Sequence, residues 1–293
     1  MCLTVTFAGK KYTPAENTAY KVLQITDVHI LNNPKKDAKA FKTITEMVNT
    51  THPDLIMVTG DITSEKENMT AFHTFGEFME SFKIPWAFVF GNHEGLDNGH
   101  DADDIVDGMG NYYRNVTDKN GKVIMLLIMM DSNSYDSVNN GYDHFHDNQV
   151  AWYEKTVKQI AKQVNGDESR VVPSIAFFHI PMQEFKTAYD KGERIAGARL
   201  EKECSPAVDD QMFETMEKLG STVACFAGHD HMNNYSAEYH GIRLSYGLSC
   251  DHNIYVVPFR GGQLINIKND GTFTVQRLIR HRGQSTVTIG KEK

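Results

Sequence analysis

Residues 223–231 read Val-Ala-Cys-Phe-Ala-Gly-His-Asp-His, so that an apolar run passes through one glycine into a polar cluster. A short apolar run bounded by a turn residue is typical of a buried strand. His229 and His231 stand two positions apart, and side chains two apart on an extended chain point to the same face. The stretch therefore predicts a buried strand that presents two imidazoles at its carboxyl end.

Four other apolar runs end in polar residues of the same chemical kind. The runs and the residues that follow them are 22–26 with Asp27 and His29, 55–59 with Asp61, 86–90 with Asn92, His93 and Glu94, and 174–178 with His179. In open α/β sheets, ligands bind beyond the carboxyl ends of the strands, so five such ends are expected to converge on one crevice. A single pair of this kind arises easily by chance, and the inference rests on the whole set.

This crevice is predicted to hold seven metal ligands. They are Asp27, His29, Asp61, Asn92, His179, His229 and His231. Imidazole and carboxylate donors without thiolate favour Mn, Fe or Zn over copper(I) or iron–sulfur chemistry. A glycine precedes Asp61, Asn92 and His229, where the backbone is expected to turn sharply and approach the metals without a Cβ in the way.

Stretches of helical period separate the apolar runs, which is the pattern of βαβ units. The predicted strands are Val22–Thr26, Leu55–Thr59, Trp86–Phe90, Val123–Met130, Ser174–Phe178 and Thr222–Ala227. Apolar helical faces recur at residues 38–48 and 69–82. Asp147 and Asp209 are predicted to cap two later helices, the second of which ends before Gly220.

The chain changes character after Gly228. Residues 235–246 and 263–280 alternate as strands, with Asn269-Asp270-Gly271 as a hairpin turn. A chain that opens with βαβ units and closes with antiparallel strands predicts an α/β fold of two mixed β-sheets packed face to face and flanked by helices. We expect a single domain over residues 1–293, because no repeat, low-complexity tract or Pro-rich linker divides the chain.

Composition bounds the class of function. The chain has 293 residues, of which 30 are basic and 38 acidic, and its formal net charge is −8. Nucleic-acid binding draws its affinity from phosphate neutralisation, so the acidic balance argues against a nucleic-acid partner. The longest apolar run, Val123–Met130, is less than half of the roughly 20 residues that a membrane-spanning helix needs, and no membrane span is expected.

The expected compartment follows from the start of the chain and from its cysteines. No basic segment followed by an apolar one begins the chain, which favours a cytoplasmic location, or a secreted one if a leader has been removed. Four cysteines without a C-x-x-C pair predict reduced thiols. The sequence carries no signal for an oligomeric state.

The order D-x-H, G-D, G-N-H-[DE], H and G-H-x-H resembles the calcineurin-like metallophosphoesterase superfamily over residues from about 20 to 260. The resemblance implies a four-layer α/β/β/α sandwich that holds two metal ions. The carboxyl-terminal strands over 261–281 are expected to belong to the same domain as this core. By this resemblance Asp27, His29, Asp61 and His231 hold the first ion. Asp61, Asn92, His179 and His229 hold the second, and Asp61 bridges the two.

Within the superfamily, Phe178-His179-Ile180-Pro181 and residues 142–152 and 225–234 resemble a branch related to purple acid phosphatases. Purple enzymes have a tyrosine three residues after the bridging aspartate, where this chain has Ser64. The resemblance therefore implies no iron(III)–tyrosinate pair, and Mn, Fe and Zn all stay open as the two divalent ions.

The expected activity is hydrolysis of phosphate monoesters by attack of a metal-bridging hydroxide, with Asp61 and His93 as catalytic residues. His93 is expected to protonate the leaving alkoxide or to stabilise its charge, and by resemblance it is the general acid. Asn92 and His93 are expected to contact the substrate. Glu94 follows His93 where family members commonly have aspartate, which affects how His93 is oriented. The alternatives are a phosphodiesterase for cyclic nucleotides or glycerophosphodiesters, which uses the same core, and an inactive metal-binding scaffold.

Other charged groups give weaker indications of a small phosphorylated substrate. Asp97, Asp101, Asp103, Asp104 and Asp107 crowd one segment, which is either a solvated loop or a rim that repels long polyanions.

His144 and His146 are either phosphate contacts or a surface pair. Arg194 and Arg199 lie between His179 and Ser205 in a connection with weak helix or strand signal, where either arginine grips a phosphate or both are solvated.

Overall fold

The computed structural model of the chain describes residues 17–64, 68–94, 106–284 and 286–291. In the first half of these ranges the elements are, in chain order, β1 (Thr18–Ile25), α1 (Pro34–Thr51), β2 (Leu55–Thr59), α2 (Met69–Glu80), β3 (Trp86–Val89), β4 (Tyr112–Thr117), β5 (Val123–Met129), β6 (Tyr135–Asp136), β7 (Gly141–Tyr142) and α3 (Asp147–Asn165). In the second half they are β8 (Ser174–Phe177), α4 (Glu184–Lys191), β9 (Glu193–Ala196), α5 (Met212–Leu219), β10 (Thr222–Ala227), β11 (Ser236–Tyr239), β12 (Ile242–Tyr246), β13 (Phe259–Lys268), β14 (Phe273–His281) and β15 (Thr288–Lys291). The strands predicted from apolar runs are all present, and β2 and β10 have the predicted bounds.

The strands form two large mixed sheets and one short hairpin. The first sheet has the order β15-β14-β13-β1-β2-β3, in which β1 pairs parallel with β2 and antiparallel with β13. The second has the order β4-β5-β8-β10-β12-β11-β9, with parallel pairing from β5 through β12. β6 and β7 pair with each other as a separate hairpin. The predicted antiparallel carboxyl-terminal strands are confirmed, since β13 and β14 pair across the Asn269-Asp270-Gly271 turn.

Apolar residues between the two large sheets hold them face to face. Val22, Met57 and Ile265 of the first sheet share one buried cluster with Ile175 and Phe226 of the second. Helices α1 and α2 cover the outer face of the first sheet, and α3, α4 and α5 cover that of the second. The layers are therefore helix, sheet, sheet and helix, which confirms the predicted α/β/β/α sandwich.

Two predicted helix caps are wrong. The cap of α3 is His146, one residue before Asp147, and that of α5 is Gln211, two residues after Asp209. The Asp209 carboxylate instead accepts the amide of Gln211 at 3.3 Å in the turn before the helix. Both sites offer several adjacent polar residues, so the capping preference alone does not select one of them.

The connection between His179 and Ser205 has regular structure, although its sequence signal for helix or strand is weak. It contains α4 and the edge strand β9, which pairs antiparallel with β11. Only Phe185 and Ala188 of α4 are buried. Two buried positions are too few to show a helical period of apolar residues in the sequence.

No helix in the described ranges is both long enough and apolar enough to cross a membrane. Cys204, Cys225 and Cys250 are free thiols, while Cys2 lies outside the described residues. The organisation of residues 1–293 as one domain stays a prediction.

Candidate metal centre

Four predicted ligands from three strand ends lie within a few ångströms of one another. The ligand atoms of Asp27, His29, Asp61 and His231 are all within 4.8 Å of one another. His231 Nε2 lies 3.2 Å from Asp27 Oδ1 and 2.9 Å from His29 Nε2. All four residues are buried or nearly so, so these polar atoms are withdrawn from bulk water.

A second group of predicted ligands shares Asp61 with the first. Asp61, His179 and His229 also have ligand atoms within 4.8 Å of one another, and His179 Nε2 is 3.1 Å from Asp61 Oδ2. Asn92 joins this group, because its Oδ1 lies 3.2 Å from His179 Nε2. The structure thus brings together all seven predicted ligands in two groups, with Asp61 common to both.

The unsatisfied nitrogen atoms of this cluster fit two bound cations. Two ring nitrogens 2.9 Å apart, as in His29 and His231, can share only one proton between them. Among the described residues, His29 Nδ1 and His229 Nε2 are buried and make no hydrogen bond. Buried polar atoms are almost always paired, because leaving one unpaired costs roughly 1–3 kcal/mol. Metal coordination would give His229 Nε2 its missing partner and would relieve the close contact between His29 Nε2 and His231 Nε2.

The charges in the cluster favour a bound cation. Burial alone would raise the pKa of Asp61, but the charge and hydrogen bond of His179, with His29 and His93, hold it well below its usual range. Burial and the charge of His179 lower the pKa of His229 to about 3, which leaves its ring neutral. His179 donates from Nδ1 to the Thr59 carbonyl at 2.8 Å, so its Nε2 faces Asp61. Asp61 and Asp27 raise the pKa of His179 to about 10 against the effect of burial, so their field attracts positive charge.

Backbone turns bring the ligands together. This corrects the expectation that alternation of side chains along the strands would do so. β1 ends at Ile25 and β10 at Ala227, so the ligands lie beyond both strands. Asp27, His29 and His229 have φ values of 49°, 53° and 76°, in the left-handed region that few non-glycine residues adopt. Such conformations cost of order 1–3 kcal/mol and cluster at functional sites.

The expected close approach at the glycines is confirmed at all three positions, and a Cβ at Gly228 would lie 3.0 Å from Asp27 Oδ2 and 2.9 Å from the Thr59 carbonyl oxygen. Gly60 has a φ of +81°, and a Cβ there would lie 2.5 Å from His179 Nδ1. A Cβ at Gly91 would overlap the Asp61 carboxylate and lie 2.9 Å from His179 Cδ2. Any larger residue at Gly60 or Gly91 would push on Asp61 or His179.

His93 faces the cluster from its exposed side. Its side chain is 26% exposed, and its Nε2 lies 4.0 Å from Asp61 Oδ2. The Ser64 carbonyl accepts a hydrogen bond from His93 Nδ1 at 3.0 Å. Ser64, which stands where purple enzymes carry their tyrosine, therefore orients His93 through its backbone, and Nε2 points towards the crevice.

Glu94 has a different role from the one expected, because it orients the ligand loops. Its carboxylate accepts the backbone amides of Gly91, Thr63 and Asp61 at 2.6, 3.0 and 3.1 Å. Burial, reinforced by the charge of Asp61, raises the pKa of Glu94, while the amide donors act in the opposite direction. Glu94 therefore ties together the loops that follow β2 and β3.

Replacing Glu94 by glutamine is expected to destabilise the metal-free protein by about 2 kcal/mol, because a carboxamide offers only one oxygen to three buried donors. Urea denaturation measures this change. Glu77 lies exposed on α2, so Glu77→Gln is the matched control and is expected to change stability by less than about 0.5 kcal/mol. Wild-type stability in Glu94→Gln would contradict the proposed role.

Three tyrosines line the cluster, and sequence reasoning missed all of them. Asn92 donates from Nδ2 to the Tyr135 hydroxyl at 2.9 Å, which turns its Oδ1 towards His179. Tyr142 packs edge-on against His229, with ring centroids 4.3 Å apart. Tyr255 lies 3.9 Å from the His231 ring. These tyrosines lie outside the strand-end pattern, so nothing in that pattern indicated them.

Asp251 positions Tyr255. Its buried carboxylate accepts the amide of Ile254 at 3.0 Å and also those of Asn253 and Tyr255. Asn253 in turn donates to the His29 carbonyl at 2.7 Å. The loop after Cys250 is thus fixed against the first ligand group.

The remaining predicted substrate contacts lie in two other clusters. Arg194 lies over the Tyr189 ring, and Arg199 pairs with Asp190 and Glu203 at 3.0 and 2.7 Å. These partners already occupy the arginines, and their role in phosphate binding stays a prediction.

His144 and His146 contact Asp143, and with Asp107 they line an opening that includes none of the seven ligands. Their role in phosphate binding also stays a prediction. Asp97, Asp101, Asp103 and Asp104 lie outside the described residues.

Comparison with known proteins identifies the family. The profile of calcineurin-like phosphoesterases matches residues 20–233. The chain belongs to this family. It is 25% identical, over 87% of its length and 78% of the relative's, to "Probable inactive purple acid phosphatase 29" of Arabidopsis thaliana. It is 27% identical to "Phosphatase DCR2" of Saccharomyces cerevisiae, over 74% of this chain and 44% of that protein.

Solved structures support the same fold. A dimetal phosphatase from Danio rerio superposes with a TM-score of 0.60 at 11% identity, covering 94% of this chain and 99% of that one. The purple acid phosphatase PPD1 from yellow lupin gives a TM-score of 0.55 at 12% identity, covering 96% of this chain and 54% of that one. At these identities the likeness establishes the calcineurin-like phosphoesterase fold alone.

Proposed function

We propose that this calcineurin-like phosphoesterase is an active phosphatase that hydrolyses phosphate monoesters of small molecules with two divalent metal ions. The observation that carries the proposal is the position of Asp61, whose carboxylate lies 3.1 Å from His179 of one ligand group and 3.7 Å from His29 of the other. One carboxylate between two complete ligand groups suits a pair of ions of the Mn, Fe or Zn type.

In this proposal the bound ions would lower the pKa of a shared water and neutralise the charge of the phosphoryl group. The protein side chains do the rest. Asp27, Asp61, Asn92 and the four ligand histidines would hold the ions, and His93 Nε2 faces the crevice where a leaving group would depart. His93 then protonates the leaving oxygen, and its Nδ1 stays bonded to the Ser64 carbonyl.

The Arabidopsis relatives are named as inactive, which makes a scaffold without catalysis the main competing function. In this chain every position of both ligand groups carries a coordinating side chain, and most of these side chains are buried. Retaining such a cluster without bound ions would cost stability, because it places unpaired polar atoms in the interior. This supports a metal-loaded centre, and the partly exposed His93 supports chemistry at that centre.

The rim of the crevice supports a small organic substrate. Tyr135 and Tyr255 are 53% and 40% exposed and contact the ligands Asn92 and His231. Exposed aromatic rings beside convergent polar groups are typical of small-molecule sites, where they bind the apolar face of the ligand. A monoester with an aromatic leaving group fits this arrangement.

The test is a parallel assay of nitrophenyl phosphate and bis-nitrophenyl phosphate with chelator-stripped protein. We expect Mn, Fe or Zn to restore turnover, with the monoester hydrolysed faster, while protein kept in chelator stays inactive. Faster hydrolysis of the diester would instead indicate a phosphodiesterase. Bound metal without hydrolysis of either ester would indicate the scaffold.

A further inference from the structure

A second cluster of metal-binding side chains lies just before α3. The ligand atoms of Asp143, His144 and His146 are within 4.8 Å of one another. His144 Nδ1 is 3.0 Å and His146 Nε2 is 3.2 Å from the same oxygen, Asp143 Oδ1. Among the described residues, His144 Nδ1 is one of the polar atoms shielded from water that make no hydrogen bond.

These separations are those of ligands around one ion. Ligands about 2.0 Å from a tetrahedral zinc ion lie about 3.3 Å from one another. The candidate ligands of the main centre have the same spacing, with 3.1 Å between His179 and Asp61 and 3.2 Å between His231 and Asp27. The two separations between a histidine nitrogen and Asp143 Oδ1 therefore match those of the main centre.

The surroundings of the cluster hold its ligands in place. Asp107 accepts a hydrogen bond from His146 Nδ1 at 2.6 Å, which leaves Nε2 directed at Asp143. A carboxylate on the far nitrogen of a histidine is the usual outer support of a metal-bound imidazole. The Gln149 side chain accepts the His146 amide at 2.9 Å, and Asn133 donates to the His144 carbonyl at 2.7 Å. Side chain and backbone are both fixed before any ion binds.

We propose that Asp143, His144 and His146 form a third metal site, which takes one divalent transition-metal ion of the zinc type. The donor set is two imidazoles and one carboxylate, which suits zinc. An open depression of about 460 Å³, lined by Asp107, His144 and His146 among others, lies beside the cluster, and water and the ion can enter through it.

The third ion would stabilise the β6–β7 hairpin, which packs against the main centre. Tyr142 directly precedes Asp143 and packs against His229, and its ring stacks on Tyr135, which bonds Asn92. The Asp143 amide also donates to the Ser134 carbonyl at 3.2 Å, and the Ser134 hydroxyl donates to the Asn92 carbonyl at 3.3 Å. Fixing Asp143 therefore fixes the β6–β7 hairpin against two ligands of the second group.

The experiment is zinc stoichiometry on the full chain, measured by mass spectrometry of the metal after stripping, reloading and desalting. We expect His144→Ala and His146→Ala each to hold one zinc ion fewer than the wild type. The matched control is His240→Ala, which removes a half-exposed histidine that pairs with Glu217 at 3.0 Å, and it is expected to hold as much zinc as the wild type.

Equal zinc content in wild type and both cluster variants would overturn the proposal, and would leave His146 as a cation held between Asp143 and Asp107. Far-ultraviolet circular dichroism establishes that each variant is folded. A second measurement needs no variant: cobalt added to protein whose main centre is already filled is expected to give the intense visible absorption of a tetrahedral site, and its absence would also count against the site. Neither readout depends on turnover, so a protein that hydrolyses no ester would refute the proposed function and leave this test intact.

Discussion

Replacing Asp61 by asparagine is expected to remove metal from both ligand groups and, as a result, to abolish turnover. The Asp61 carboxylate lies within reach of both His29 and His179, at 3.7 and 3.1 Å. An amide carries no charge and presents only one oxygen, so both ions would bind this shared ligand more weakly. Changes in the partners of ligands already cost 10–100-fold in metal affinity, and the loss of a shared ligand is expected to exceed about 100-fold.

The measurement is metal content after dialysis, with activity assayed on the same sample. Asp230→Asn is the matched control, because Asp230 lies between His229 and His231 but bonds the Tyr246 hydroxyl at 2.6 Å and the Cys204 amide. It is expected to retain the metal of the main centre. Asp61→Asn with wild-type metal content would show that the carboxylate does not bridge.

The fold could be predicted where buried residues form a regular pattern of apolar positions in the sequence. β2 and β10 are fully or almost fully apolar runs between polar ends, and their bounds were predicted without error. β9 could not be predicted, because it is stabilised by pairing with β11. α4 could not be predicted, because it is stabilised by packing on the second sheet and only two of its residues are buried. Tertiary contacts decide such short elements, whereas local pattern decides the longer ones.

The ligands could be predicted because chemistry restricts their residue types and strand ends restrict their positions. The reason given for their convergence was nevertheless incomplete. Asp27, His29 and Asp61 reach the cluster through left-handed backbone, with φ between 49° and 53°. Aspartate and histidine are among the residues that tolerate this conformation, so the ligand residue types suit both the metal and the turn.

Long-range contacts account for what was missed. Glu94 directly follows His93 in the sequence, so an effect on the orientation of His93 was expected. Its carboxylate instead accepts amides on two different loops. Tyr255 and Asp251 reach the first ligand group from a loop more than two hundred residues after His29. A single sequence contains no record of such contacts, because neither propensity nor periodicity relates residues so far apart.

Replacing His93 by alanine is expected to leave the metal content unchanged and to slow hydrolysis by about 100- to 10,000-fold for esters with poor leaving groups. His93 belongs to neither ligand group, and its Nε2 is 4.0 Å from Asp61 while its Nδ1 is held by the Ser64 carbonyl. A poor leaving group needs a proton as its bond to phosphorus breaks, and His93 is the histidine placed to give one. A good leaving group departs as a stable anion and gains little from protonation.

The leaving group therefore separates acid catalysis from other roles of His93. Alkyl phosphates are expected to lose most of their rate in His93→Ala, and nitrophenyl phosphate is expected to lose much less. His73→Ala, which removes an exposed histidine on α2, is the control and is expected to behave as the wild type with both esters. An equal loss with both esters would mean that the His93 imidazole acts on the phosphoryl group and not on the leaving group. Since alanine keeps the backbone amide that donates to Asp61 Oδ1 at 3.0 Å, the comparison isolates the imidazole, and a larger loss with alkyl phosphates would show that the imidazole acts on the departing oxygen, by protonating it or by stabilising its charge.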